Sequence, residues 1–200
     1  MISRKEALAF VNEQIENKNI VKHMLATEAC MRSLAFNLKT QKSKVKIVGD
    51  DSIVVDKWGL VGLIHDADYT PDISDERHGL EIAELVRKRG LDVPEDVLHA
   101  IAAHNAGHTG VQPESLMDWA IFCCDSLTGL IVATALVRPD KKLASVTVES
   151  VMKKFKSPSF AKGTRREDIA MCEEKLGIPL ERFVGICLSA MQEISEELGL

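Results

Sequence analysis

The sequence predicts an all-α fold, and three observations carry the prediction. Apolar residues recur at helical spacing through most of the 200 residues. N-capping and helix-breaking residues punctuate those stretches, and no run of alternating β-branched residues is long enough to build a sheet. A chain of this length suits a single domain, 1–200, and buries roughly 70% of the surface its unfolded form exposes.

Ser3 and Glu6 make a Ser-x-x-Glu capping box, so the first helix starts after Ser3 and runs to near Asn17. The second starts near Asn19 and carries Val21, Met24, Leu25, Cys30, Met31 and Leu34 on its apolar side, with His23 among them. From Thr40 to Asp50 the chain is lysine-rich and aperiodic; it reads as a loop, although Lys44 to Val48 could pair as a brief edge strand. A third helix spans about Asp51 to Ala67, and the turn-rich stretch Tyr69 to Asp75 leads to a fourth, opened by His78 and closed at Gly90. Pro94 begins a helix whose Val97, Ile101 and Ala102 lead to His104, where Asn105-Ala106-Gly107 stops it. Pro113 starts a long central helix to about Val137, ended by Arg138-Pro139-Asp140. Three tail helices follow: Thr147 to Phe155, Thr164 to Leu176 with a Thr-x-x-Glu capping box, and Pro179 to Leu198. Their apolar positions Ile169, Leu176, Phe183, Ile186, Leu188 and Ile194 need cover from the same domain or from a second subunit, which leaves homo-oligomerisation open.

A formal net charge of -5, with bases interspersed among acids, argues against general nucleic-acid binding. Five cysteines, an odd number with no C-x-x-C pair, read as reduced core residues of a cytoplasmic protein. The polar start at Ser3-Arg4-Lys5-Glu6 carries no leader signature. Trp119 to Val137 approaches the length of a membrane span, yet it holds Asp125 and stands alone among amphipathic segments. It is expected to be a central helix, with no membrane association.

The chemistry concentrates at His65-Asp66, which ends the apolar run Trp58 to Ile64. An ionised carboxylate taken out of water without compensation costs several kcal/mol or more, so Asp66 needs hydrogen bonds, a proton or a cation. The dipeptide alone leaves a self-satisfied pair and a metal-ligand pair equally open. His23, His78, His104 and Asp125 pose the same problem, each lying in or beside an apolar helix. Asp125 is the sharpest case: it follows Trp119 to Cys124, precedes Leu127, and has no basic residue within a helical turn or two. His108 sits among glycines and reads as an exposed loop residue. His99 lies five positions before His104, about 140° around the same helix, and cannot easily share its site. Imidazole and carboxylate ligands suit iron, manganese, zinc, cobalt or nickel and offer no thiolate selectivity.

The ordered series His23, His65-Asp66, His78, His104, Asp125 resembles the HD superfamily of metal-dependent phosphohydrolases, all-α enzymes named for that dipeptide. The resemblance covers roughly Ile20 to Val137, and its most specific pieces are Leu60 to Asp66 and Val97 to Asn105. It implies an HD-domain-like helical bundle at about 20–137 with additional C-terminal helices at about 138–200. It further implies that His23, His65, Asp66 and Asp125 ligate a first ion, that His78 and His104 are the extra pair of binuclear members, and that Asp66 bridges both ions. A bound ion lowers the pKa of a coordinated water from 15.7 towards about 7, and a second about 3.5 to 4 Å away orients a phosphoryl oxygen. The expected function is therefore hydrolysis of a small phosphorylated molecule, a nucleotide among the candidates, with one or two divalent transition-metal ions.

The match departs from the family after the dipeptide. Many members continue into a lysine or glutamate, whereas here Ala67-Asp68-Tyr69-Thr70 follows. Asp68 is either a proton relay, catalytic beside Asp66, or a surface acid at the helix end. Phosphate calls for positive charge, for which Arg77, Arg138 and the cluster Lys162-Gly163-Thr164-Arg165-Arg166 are candidates. That cluster is either an anion-binding lid, with Lys162 and Arg165 as its cations, or a basic surface turn. Two other functions fit the same residues: a di-iron oxygenase on the same fold, and a non-catalytic regulatory or binding module whose metal is structural.

Overall fold

The Ser3 capping box forms: the Ser3 hydroxyl accepts from the Glu6 N–H, the Glu6 carboxylate accepts from the Ser3 N–H at 2.8 Å, and α1 (Arg4–Gln14) follows. From there the computed structural model, which describes residues 1–40 and 50–200, is all-helical. The loop and edge-strand readings of 41–49 lie outside the described residues.

The pairing of α2 (Lys18–Thr40) with α3 (Asp51–Ile64) sets the frame of the site. It is close because Gly62 lacks a side chain. A Cβ there would stand 2.7 Å from the Thr27 carbonyl oxygen and from the Glu28 nitrogen, so the two backbones meet directly. Glu28, 3% exposed, accepts from Arg4 at 2.7 Å and Arg32 at 2.9 Å, and Arg32 continues to Asp56 at 2.7 Å. A buried carboxylate satisfied from two sides thus pins α1, α2 and α3 together.

The bundle continues through α4 (Glu81–Lys88), α5 (Glu95–His104), the short α6 (Ala106–Thr109) and the central α7 (Leu116–Leu136). A 3₁₀ turn at Leu143–Ser145 and α8 (Val148–Phe155), α9 (Arg166–Leu176), α10 (Leu180–Glu193) and α11 (Ser195–Leu198) complete it. By length and composition α7 could cross a membrane, but 56% of its apolar window is buried, and it packs on α2, α5, α9 and α10 as a core helix. Pro113 does not start it. Ser115 and Asp118 form a reciprocal capping box, and Asp118 also takes His99 Nδ1 at 3.0 Å.

The tail covers its own apolar residues. Ile169, Leu176, Phe183 and Leu188 are buried, and Ile186 and Ile194 pack half-buried against the same core. All five cysteines are free and buried.

Four further local expectations need correction. α3 stops at Ile64, three residues short of Ala67, because the chain tightens into i→i+3 bonds, Ala67 N–H to Ile64 O at 3.0 Å and Tyr69 N–H to Asp66 O at 2.9 Å. His78 does not open a helix: Gly79 at φ +92° breaks the path, and α4 begins at Glu81. The Thr164 capping box is not formed; Arg165 is the N-cap of α9 and makes no side-chain cap bond. The last helix breaks at Ile194 into α10 and α11.

Candidate metal centre

Four helices and the turns that follow them bring the six predicted ligands to one place. His23 comes from the first third of α2, His65 and Asp66 from the end of α3, His78 from the turn before α4, His104 from the last position of α5 and Asp125 from the middle of α7. His23 Nε2 lies 3.2 Å from His65 Nε2 and 3.0 Å from Asp125 Oδ1, and His65 Nε2 is 3.7 Å from that same oxygen. His78 Nε2 lies 3.3 Å from His104 Nε2, and these two are 3.2 and 3.6 Å from Asp66 Oδ1. Asp66 also faces the first group, with Oδ1 3.3 Å from His65 Nε2 and Oδ2 3.5 Å from His23 Nε2. Donors about 2.0 to 2.1 Å from one tetrahedral ion stand about 3.3 Å apart, so these separations are those of ligand-polyhedron edges. Two donor groups share the Asp66 carboxylate.

The far side of every imidazole explains why the near side points inward. His65 Nδ1–H donates to Gly62 O at 2.9 Å, and His104 Nδ1–H donates to Ile101 O, each the carbonyl three residues back at its helix end. His78 Nδ1–H donates to Asp68 Oδ1 at 2.8 Å. His23 Nδ1–H donates to Thr128 Oγ1 at 3.0 Å, because the Thr128 hydroxyl proton is spent on Asp125 O at 2.8 Å. An acceptor at each Nδ1 fixes the tautomer and leaves the Nε2 lone pairs converging on the carboxylates. Such a donor set could hold a metal ion between its members.

Protons compete for those positions. Burial disfavours a charged His23, yet its hydrogen bond to Asp125 and the charges of Asp125 and Asp66 raise it to about 9. Burial likewise opposes charge on His78, and its bonds to Asp66 and Asp68 raise it to about 10. Asp66 and Asp125 are held well below the usual carboxylate range: burial would raise both, but the charge of His65 and bonds from His104 and His78 win at Asp66, and bonds from His23 and His65 win at Asp125.

Asp68 is neither a surface acid nor a group facing the cleft. It is 1% exposed, with Oδ1 on His78 and Oδ2 accepting from the Gly79 N–H at 2.8 Å. That places it as the carboxylate that orients His78. Asn105 supports the same turn, its Nδ2 donating to Asp75 O at 3.0 Å and His78 O at 3.3 Å.

Of the predicted ligands, Asp66, His78, His104 and Asp125 open onto a cleft of about 260 Å³ that Tyr69, Asp75, Asn105, His108 and Arg165 also line. His108 is exposed, as expected, but at the rim of this cleft. Of the proposed phosphate cations, only Arg165 reaches it, with Nη2 3.3 Å from Asp125 Oδ2 and Nε 2.5 Å from Asp168 Oδ2. Asp125 therefore has a basic neighbour after all, 40 residues away in sequence. Arg77 is exposed and paired with Glu81 one turn on, Lys162 is exposed and outside the cleft lining, and Arg138 is bound to Ser145. Thr128, Asn105, Gly62 and Gly79 are supporting residues that the sequence reading missed. Only Thr128 left a signal, a hydroxyl one turn after a buried acid in an apolar helix.

Fold and site together define an all-helical protein with a His/Asp cluster able to hold metal ions. No protein family, characterised protein or solved structure compared with the chain matches it.

Proposed function

We propose that this protein is a metal-dependent hydrolase of small phosphorylated molecules, of the HD superfamily type. One observation carries the reading: four imidazoles, each with its Nδ1–H locked by an acceptor, turn Nε2 towards two carboxylates that imidazole contacts keep ionised against the cost of burial. A bound divalent ion, iron, manganese, zinc, cobalt or nickel, would supply Lewis acidity and a water of lowered pKa there. His23, His65, Asp66 and Asp125 would hold one ion, and His78, His104 and Asp66 a second. Arg165 at the cleft supplies fixed positive charge for a phosphate oxygen, and the cleft volume suits a phosphate with a small alcohol portion.

The test is phosphate release from a panel of phosphoesters by protein loaded in turn with manganese, iron, cobalt and nickel, beside Asp66→Ala. Turnover lost in Asp66→Ala is the expected result. No turnover above that control would leave a structural metal site in a binding module. Anaerobic iron loading followed by O₂ that gives a spectral change and an organic product, without phosphate release, would replace hydrolysis by oxygenation.

A further inference from the structure

Arg165 and Arg166 are sequence neighbours whose guanidinium groups meet different partners. Arg165 faces the two carboxylates of Asp125 and Asp168. Arg166, half-buried, donates to four backbone carbonyls: Nε to Phe155 O at 2.8 Å, Nη1 to Thr164 O at 3.2 Å, and Nη2 to Ser157 O at 3.0 Å and Phe160 O at 2.5 Å. These carbonyls belong to the last residue of α8 and to the loop 156–164 that enters α9. The loop needs such a clamp. Its Ala161 takes φ +45°, a left-handed conformation that residues with a Cβ rarely adopt, and Lys154 Nζ lies over the Phe160 ring at 4.4 Å. A guanidinium presents five N–H groups along three edges of a plane, whereas an ammonium offers three from one point, so lysine cannot span the same four acceptors.

We propose that Arg166 is a positioning residue: by closing the loop 156–164 on its own carbonyls, it sets the start of α9 so that Arg165 stands over Asp125 as the phosphate-binding cation. The inference rests on the phosphohydrolase reading of the same site. It makes the basic cluster two devices, one cation for the anion and one for the backbone that carries it, with Lys162 in neither.

The experiment is calorimetric titration of inorganic phosphate into manganese-loaded protein, for wild type, Arg165→Ala, Arg166→Lys and the double variant. Circular dichroism and elemental analysis verify fold and metal content. Arg165→Ala is expected to weaken phosphate about tenfold or more, the scale of a lost charge-assisted hydrogen bond. Arg166→Lys is expected to weaken it about tenfold in the wild-type background and less than about twofold beside Arg165→Ala, a non-additivity that a general loss of stability does not produce. Equal losses in both backgrounds, or a lower thermal midpoint with unchanged phosphate affinity, would overturn the proposal. If Arg166→Lys does not fold, Arg166→Gln is read in its place. A measurement without any variant stands beside these: in ¹⁵N-arginine-labelled wild type, the Arg165 Nε–H resonance shifts on phosphate addition and that of Arg166 does not, and an unmoved Arg165 resonance refutes the assignment. Phosphate binding that ignores Arg166 removes this inference alone, whereas a loaded wild type that binds no phosphate removes the parent reading and this one with it.

Discussion

Asp68→Asn separates orientation of a ligand from ligation itself. The wild-type carboxylate accepts twice, from His78 Nδ1–H and from the Gly79 N–H, both at 2.8 Å, with the side chain sealed from solvent. Asparagine has one oxygen and one NH₂ for the same two donors. With its oxygen on His78, the NH₂ meets the Gly79 N–H head-on, and a buried donor left unsatisfied costs about 1–3 kcal/mol of stability. With its oxygen on Gly79, the NH₂ meets His78 Nδ1, which must then accept, and the ring proton moves to Nε2 where the second ion would sit. Both outcomes weaken the His78 and His104 position, by about 10–100-fold in affinity on the scale of such supporting carboxylates. The position built from His23, His65 and Asp125 keeps its own acceptors. Equilibrium dialysis over a metal series followed by elemental analysis is expected to show two ions falling towards one at limiting metal, and the raised His78 titration should fall in an NMR pH series. Two ions bound with unchanged affinity would show that His78 is not a ligand. Equal loss of both would show that Asp68 supports the whole cluster rather than one ring.

Other consequences are as direct. Asp66→Ala removes an oxygen from both donor groups and is expected to abolish most bound metal, whereas His104→Ala lowers stoichiometry towards one; full occupancy in Asp66→Ala by elemental analysis ends the site assignment. Thr128→Val keeps the shape but deprives His23 Nδ1 of its acceptor, so affinity at the first position should fall by about tenfold or more in dialysis. Gly62→Ala forces a Cβ to 2.7 Å from the α2 backbone, and overpacking of that kind costs about 1–3 kcal/mol, read as a lowered urea midpoint. In metal-free protein the raised His23 and His78 stabilise the fold fully below their ordinary value of 6.5 and lose that contribution as pH rises through about 9 and about 10. The depressed Asp66 and Asp125 contribute above 3.8 and lose it as pH falls further. Urea midpoints in chelator should therefore decline from pH 7 to 10, while metal affinity rises over the same range as ions displace those two protons; a flat profile for both would contradict the proton-competition account.

Helices were legible because α2 and α10 bury residues at helical spacing, and α3, α5 and α7 are apolar runs closed by caps or breakers. Ligand candidates were legible for a related reason: a carboxylate such as Asp125 inside an apolar helix advertises an unmet need. What could not be read were partners met through space. Asp68 looked like a helix-terminal surface acid because its two donors, His78 and Gly79, lie ten and eleven residues on. Arg165 meets Asp125 across 40 residues, a pairing without periodicity to betray it. Thr164 and Glu167 have the spacing of a capping box, but the Arg166 clamp on the loop carbonyls outweighs one hydroxyl bond. Arg77 and Lys162 are long, flexible cations that satisfy themselves with Glu81 or with solvent, and composition alone cannot tell them from Arg165.

The carbonyls that receive the Nδ1–H groups of His65 and His104 belong to the main chain, three residues back at the ends of α3 and α5. No side-chain replacement deletes a carbonyl. Random substitution, in evolution or in a library, can therefore detune the His23 ring through Thr128 and the His78 ring through Asp68, but it reaches the other two only by changing where a helix stops. Retuning the proposed centre would be sought first at Thr128 and Asp68, while insertions or deletions near Gly62 and Ile101 would displace the rings of His65 and His104 themselves.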